Sequence, residues 1–390
     1  MPVTRKRVTA ALRKIDHAIG RAKSTRAILV EARTPVYLAV LGPVADALAA
    51  QPDVEVWFTS EYPDRIRPLV REDRFLAQAQ TEWRRFDVYL NGDPWAAVRL
   101  RRCAHRVNFF HGVAGKYDLD RPEGLPMGFG TYDYVAFINR DRMRRYLDAR
   151  IVTRRQAVLI GYPKLDRLAV GGWDGAAVRA SLGLDPARPT ALYAPTYSGA
   201  SSLHLAGESI VRALDAAGMN VIVKLHDRSL DPDPRYNGGI DWRRRLGALE
   251  KSGRVRLADG PDACPFLAAA DLMVTDHSSV GFEYLVLDRP LLVFDAPDLP
   301  VAARINPEKV QLLRRAALVV RTPEELASAA LNELRVPARL STERRQVAEQ
   351  MFHQPGGATA RALALIGGLL RPRRSGMRIA RARSLSGGVL

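Results

Sequence analysis

Short apolar runs, each closed by Gly, Asp, Asn or Ser, alternate with helical or loop segments along most of this chain. That alternation is the pattern of parallel α/β architecture, in which each strand needs a crossover before the next can pair beside it. PVYLAVL (35–41) reads as a strand feeding a helix GPVADALAAQ, and VEVWFTS, DVYLNGD, RVNFFHG, YVAFINR and AVLIGYP read as further strands. The stretch LGLDPARPT (182–190) has two prolines and no period, which marks a boundary. A second series follows it: TALYAPTYS, NVIVKLHD, RVRLADG, ADLMVTDHSS, RPLLVFDAP and AALVVRTPEEL. The organisation expected is an arm over 1–26 and α/β halves over 27–185 and 186–350. A helix over 351–370 is placed to pack back on the first half, and a tail runs over 371–390. Strand ends of this kind fit the carboxyl edge of a parallel sheet, where α/β proteins bind ligands.

Composition narrows the class. At 47% hydrophobic and 26% charged residues the chain can bury ordinary cores and is not of disordered type. No run approaches the ~20 apolar residues that span a bilayer, and MPVTRKRVTAALRK has charges without an apolar signal core. Two cysteines, Cys103 and Cys264, form no disulfide framework and no metal-ligand spacing, and read as small buried hydrophobes. The expectation is a cytoplasmic protein without a metal site.

The formal net charge of +17 invites a nucleic-acid reading until it is located. Residues 1–26 carry +7 and residues 371–390 carry +6, so the body between them is nearly balanced. In the arm, Val8, Leu12, Ile15 and Ile19 share one helical face, with Arg7, Lys14 and Arg21 elsewhere on the wheel. Such a helix either packs on its own domain or adsorbs to an anionic membrane, where each Lys or Arg contributes about 1 kcal/mol. The charge is read as a two-ended attraction to the inner face of the cell membrane, with no nucleic acid expected.

Eight lysines stand against 51 arginines, and Lys116, Lys164 and Lys224 fall at or just after strand ends, where a compact point charge is useful. Of seven histidines, His111, His226 and His277 terminate strands, and their convergence on one cleft is the simplest expectation. In ADLMVTDHSSVGFEYLVLDRPLLVFD (270–295) a buried strand runs into Asp276, and Ser278 or Ser279 can cap the helix that follows. Its free N–H groups suit a diphosphate, with Glu283 one turn deeper as an acceptor for ribose hydroxyls. As spacing alone, Ser-Ser is equally a plain cap and Glu283 a surface acid. HGVAGK (111–116) is not a Walker loop, and the chain has neither a GxGxxG fingerprint after a strand nor Gly-x-Ser-x-Gly. Kinase, P-loop, classical dehydrogenase and α/β-hydrolase readings therefore lose support.

Taken in order, FFHGVAGK, GYPKLDRL, ALYAPTYS, VIVKLHD and VTDHSSVGFEYLVLDRPLLVFD resemble the CDP-glycerol glycerophosphotransferases of the teichoic acid primase and polymerase type over about residues 100–300. The resemblance implies an α/β fold of GT-B type, with two Rossmann-like domains facing a cleft: an acceptor domain first and a CDP-donor domain second. It also implies peripheral membrane association, and transfer of a polyol phosphate from a CDP-activated donor to a hydroxyl of a lipid-linked or cell-surface polymer acceptor. CDP-glycerol is the donor substrate, and no cofactor or metal is required. His111 matches the His-Gly motif, with Gly112, and is implied as the base. His226 matches a ligand of the donor diphosphate. Asp276, His277, Ser278 and Ser279 match the phosphate-holding segment, and Glu283 an acid near the ribose. Lys116 matches the lysine after His-Gly, and Lys224 stands where arginine is more usual. Tyr193, Pro195 and Thr196 open the second domain and shape the nucleotide pocket. The chain departs from the family at Val113-Ala114-Gly115, at His277 in place of Tyr, and at His226-Asp227 in place of His-Pro, so ribitol phosphate is an alternative to glycerol phosphate. Rival readings are a GT-B nucleotide-sugar glycosyltransferase or UDP-sugar epimerase, and a non-catalytic basic module for nucleic acid or anionic lipid.

Overall fold

The computed structural model describes Ile15 and residues 25–93, 99–123, 128–231, 233–234 and 238–370. The expected arm helix, apart from Ile15 and the last two arm residues, and the arginine-rich tail lie outside the described residues. Two six-stranded sheets, parallel throughout, carry the fold. The first contains β1 (Arg26–Glu31), β2 (Val54–Thr59), β3 (Phe86–Asn91), β4 (Cys103–Phe109), β5 (Tyr134–Phe137) and β6 (Ala157–Leu159), in the order β2-β1-β3-β4-β5-β6. The second contains β7 (Thr190–Tyr193), β8 (Asn220–Val223), β9 (Val255–Leu257), β10 (Leu272–Thr275), β11 (Leu291–Phe294) and β12 (Leu318–Val320), ordered β12-β11-β10-β7-β8-β9. This is the α/β, GT-B arrangement.

One element differs from the sequence expectation. PVYLAVL is not a strand but the start of helix α1 (Pro35–Ala49), and the first strand is RAILVE just before it. Pro35 occupies the first turn, where its missing N–H has no partner to lose. Tyr37, Val40, Leu41, Val44, Ala45 and Leu48 recur at three- and one-residue steps and form the single buried face of a helix. Apolar density in PVYLAVL masked that period. RAILVE, buried on both faces between β2 and β3, has the continuous apolar character of a central parallel strand.

The helices that position the site are α1, α2 (Arg140–Asp148), α3 (Ser202–Ala216), α4 (Ser279–Tyr284), α5 (Pro307–Arg315), α6 (Pro323–Arg335), α7 (Ser341–Met351) and α8 (Ala358–Leu370). One apolar cluster runs across both sheets, from Leu29 and Phe110 to Ala194 and Met273, and takes in Val347 and Met351 of α7. The chain then returns to the first sheet: Ala358, Ala362 and Ile366 of α8 are buried with Ile28, Val30, Val88 and Leu90. Each fully buried Ile, Val or Leu among these contributes about 1.5–3 kcal/mol. Both cysteines are buried thiols. No helix among the described residues is long and apolar enough to cross a membrane.

The return of α8 is fastened by one carboxylate. Asp166, just after β6, accepts from Gly356 N and Ala358 N at 3.0 Å and from Thr359 N at 2.5 Å, so it satisfies the free N–H groups of the first turn from outside the helix. Asp166→Ala should lower the unfolding free energy of the first domain by about 1–2 kcal/mol, the range for a lost cap. Urea melts followed by circular dichroism check this; a midpoint equal to that of the native chain would show the contact to be idle.

Candidate functional site

In each sheet the strand order reverses once, between β1 and β3 in the first and between β7 and β10 in the second. Loops diverge at such a switch point and leave a crevice beyond the carboxyl ends of the strands. The segments leaving these strands meet there: Gly92 after β3 with His111 after β4, Lys116 with Thr196 after β7, Ala114 with His277 after β10, and Tyr197 with His226 after β8. His111 stands two residues past β4. Its Nδ1 lies 2.6 Å from the carbonyl oxygen of Gly92, which can only accept, so Nδ1 carries the proton and Nε2 the lone pair. Burial lowers the His111 pKa, opposed by the Gly92 hydrogen bond and by Asp93, and reinforced by Arg142 and Arg228. Neutral at ordinary pH, His111 is suited to take a proton at Nε2.

The loop after it depends on the other domain for its backbone hydrogen bonds. The N–H groups of Val113 and Ala114 donate to Ser279 Oγ at 3.3 and 3.4 Å, His277 Nε2 donates to the Ala114 carbonyl at 3.0 Å, and Asn306 N donates to the Gly115 carbonyl at 3.0 Å. Arg142 completes the loop from α2, donating to the Gly112 carbonyl and to Asp120, each at 2.8 Å. Gly115 has φ +66°, and a β-carbon there would stand 2.6 Å from Asp120 Oδ2 and 2.8 Å from Lys309 Cγ, so only glycine fits.

Across the crevice, Lys116 Nζ donates to Thr196 Oγ1 at 2.9 Å, and Thr196 Oγ1 donates to the His277 carbonyl at 2.7 Å. Burial pulls Lys116 down to about 8 against the opposing charge of Asp276. His226 leaves β8 with Asp227 Oδ1 2.5 Å from its Nδ1 and stacks on Tyr197 with ring centroids 4.4 Å apart. Asp227 is held at about 2: burial works against the charge, and the His226 and Arg228 contacts overcome it. The Arg228 N–H also lies 3.2 Å from Nδ1 of His226. Tyr197 bonds Tyr117 of the first domain at 2.8 Å, and the Arg228 guanidinium lies 5.2 Å above the Tyr197 ring. Since Arg228 also lowers the His111 pKa, the surroundings of the two histidines share one field.

The structure thus brings His111, Gly112, Lys116, Thr196, His226, His277 and Ser279 together at the domain junction, and places several side chains differently from the sequence expectation. Neither Ser278 nor Ser279 caps α4 through its side chain, because Ser279 Oγ turns instead to the 113–114 amides. Asp276 does not present its carboxylate to a phosphate. Its oxygens accept from the N–H of Thr196 and His277 at 2.9 and 2.6 Å and from N and Oγ of Ser202 at 3.0 and 2.9 Å, which fixes the loop after β7 and the start of α3. Glu283 is buried against Lys164 at 2.6 Å instead of open to a ribose. Burial opposes the Lys164 charge, but Glu283 outweighs it and raises that pKa. His277 is held neutral, pushed down to about 4 chiefly by burial. Lys224 Nζ bonds the Leu225 carbonyl at 2.9 Å, and Pro195 is buried at the end of β7. Lys164 is named in the sequence reading only as a strand-end lysine, without its partner Glu283, and Tyr37, Gly92 and Arg228 are not named there at all. Lys164 and Arg228 lie inside quoted or adjoining motif residues, GYPK and LHDR, whereas Tyr37 and Gly92 carry no local signal.

A separate cavity of about 830 Å³, lined in part by Arg140, Arg144, Arg345, Glu349 and His353, contains none of these residues. No group of three or more His, Cys, Asp or Glu side chains among the described residues is placed to hold a metal ion.

The fold is shared with known proteins. The family model described as CDP-glycerol:poly(glycerophosphate) glycerophosphotransferase matches residues 96–366. The wall teichoic acid polymerase TagF is similar in structure at TM-score 0.67 and 15% identity, over 94% of this chain and 98% of that one. A TagF variant soaked with CDPG gives 0.68 at 14% identity over the same shares. The Neisseria meningitidis UDP-GlcNAc 2-epimerase bound to UDP-GlcNAc gives 0.55 at 12% identity, over 88% of this chain and 99% of that one. No curated sequence matches the chain significantly.

Lys116 provides a direct check on the crevice. With ¹³C-labelled lysine, one ε-carbon resonance should titrate near 8 and be absent from Lys116→Met; a Lys116 resonance that titrates only near the ordinary lysine value, about 10.4, contradicts this burial.

Proposed function

Because the chain belongs to the CDP-glycerol:poly(glycerophosphate) glycerophosphotransferase family, we propose that it transfers a polyol phosphate, glycerol phosphate by default, from a CDP-activated donor to a hydroxyl of a lipid-linked or cell-surface polymer acceptor. It is an enzyme of CDP-glycerol glycerophosphotransferase type. The observation that carries the reading is the fixed tautomer of His111: a neutral imidazole with Nδ1–H held by Gly92 and Nε2 basic, on the loop that also carries the half-buried Lys116.

Nε2 of His111 takes the proton of the acceptor hydroxyl as its oxygen attacks the phosphorus that bears the polyol. The bond from that phosphorus to the bridging oxygen breaks, the electron pair leaves on that oxygen, and CMP departs. Catalysis of this kind is mainly positioning and charge stabilisation. Lys116, His226 Nε2 and Arg228 are the cationic or donor groups that face the diphosphate, whereas Asp276, Ser279 and the Lys164–Glu283 pair hold the frame in which they stand. The basic arm and tail bring the cleft to an anionic membrane on its inner face.

With CDP-glycerol and a polymer or lipid-linked acceptor, the native chain should release CMP, and His111→Ala should lower kcat by about 10²-fold or more, the scale of general-base catalysis. Equal release by native chain and variant contradicts the assignment, and release of a free nucleotide from UDP-sugars in preference to CDP-glycerol would favour the epimerase or glycosyltransferase reading. Membrane recruitment is tested separately by sedimentation with vesicles. Binding should require anionic lipid and disappear on deletion of 1–24 and 371–390, and equal failure to bind neutral and anionic vesicles contradicts it.

A further inference from the structure

The base assigned above has two partners that the family motifs do not contain. Gly92 follows β3, and a β-carbon on it would lie 2.5 and 2.8 Å from Cδ1 and Cε1 of Tyr37. The Tyr37 ring, carried by α1, therefore rests directly on the Gly92 backbone. The carbonyl of that same residue accepts Nδ1–H of His111 at 2.6 Å. The Tyr37 ring also lies tilted against the imidazole, with centroids 4.4 Å apart and planes at 52°, and its hydroxyl stands 3.3 Å from Nε2. With Nδ1 protonated, the only proton available to that second contact is the phenolic one, so Tyr37 donates to Nε2.

We propose that Tyr37 and Gly92 are positioning residues for the transfer, a clamp that fixes the tautomer and plane of His111 and keeps Nε2 occupied until the acceptor hydroxyl replaces the phenol. This rests on the reading of His111 as the base. Burial first, then Asp93, raise the Tyr37 pKa, so the phenol keeps its proton at neutral pH. When the acceptor arrives, the phenolic proton turns from Nε2 to Asp93, whose carboxylate already bears on Tyr37 and is anchored by Arg33 at 2.7 Å. No charge moves in that exchange, and no bond to oxygen or nitrogen breaks. The charged and titratable groups that face His111 are Tyr37 from α1, Asp93 after β3, Arg142 from α2 and Arg228 after β8. Gly92 has no room for a side chain because the clamp closes over its backbone.

Tyr37→Phe retains the ring and removes only the hydroxyl. Loss of a donor that favours neutral imidazole raises the His111 pKa, so the acid limb of the kcat/KM profile should move to higher pH by about half to one unit. The KM for CDP-glycerol should be unchanged. Gly92→Ala displaces the Tyr37 ring and should cost more activity than Tyr37→Phe. Imidazole ¹⁵N spectra of the donor-free protein provide the readout that needs no activity: His111 should be the Nδ1–H tautomer in the native chain and titrate higher in Tyr37→Phe. An Nε2–H tautomer in the native chain, or a Tyr37→Phe pH profile and ¹⁵N titration superimposable on the native ones, would overturn the clamp. Retention of full activity by His111→Ala would instead remove the base itself, while the ¹⁵N spectra would still report on the clamp.

Discussion

Buried peptide groups must find partners, and the loop 112–115 finds most of its partners in the other domain. The amides of Val113 and Ala114, the Ala114 carbonyl and the Gly115 carbonyl are all bonded by Ser279, His277 and Asn306. His111 opens this loop. The setting of the loop that follows it thus depends on the approach of the two sheets, and a domain rotation that broke these contacts would leave four backbone groups to find water. The cleft therefore takes groups from both domains, held together by these backbone contacts.

Around this loop the charged residues divide by burial. Asp276 and the Lys164–Glu283 pair are satisfied internally, and removal of one partner from such a pair leaves a buried charge whose cost is about 3–5 kcal/mol. They are framework. Lys116 and His226 keep a proton or a ring edge beyond these internal bonds, His111 Nε2 is held by the Tyr37 hydroxyl, and burial has moved His111 and Lys116 toward neutrality. With its pKa lowered to about 8, Lys116 still carries its charge at neutral pH, and an anionic group bound beside it would raise that pKa again.

The α/β class and the two parallel sheets were legible in the sequence because a buried parallel strand is a short apolar run with a polar stop, and most such runs here are strands. PVYLAVL reads as a strand because seven residues of high apolar content resemble one until the helical period is followed through Leu48. Histidines at strand ends could be named from position alone, since a strand end in a parallel sheet is already a place in space. What a side chain does there could not be read in the same way. Asp276 and Glu283 have the residue types for phosphate-loop and ribose roles, but their partners, Ser202 and Lys164, lie 74 and 119 residues away along the chain. Tyr37 and Gly92 escape for the same reason: the contact that defines them joins α1, the exit of β3 and the exit of β4, and no local pattern encodes it.

A crystal structure of His111→Ala soaked with CDP-glycerol tests the central claim most directly. The proposed transfer requires the diphosphate to lie between Lys116 and His226, with the glycerol-bearing phosphorus facing the space left by the imidazole. A donor bound elsewhere, for example in the cavity beside Arg140 and Arg345, or with its nucleotide against His111 and its glycerol phosphate turned away, would contradict it.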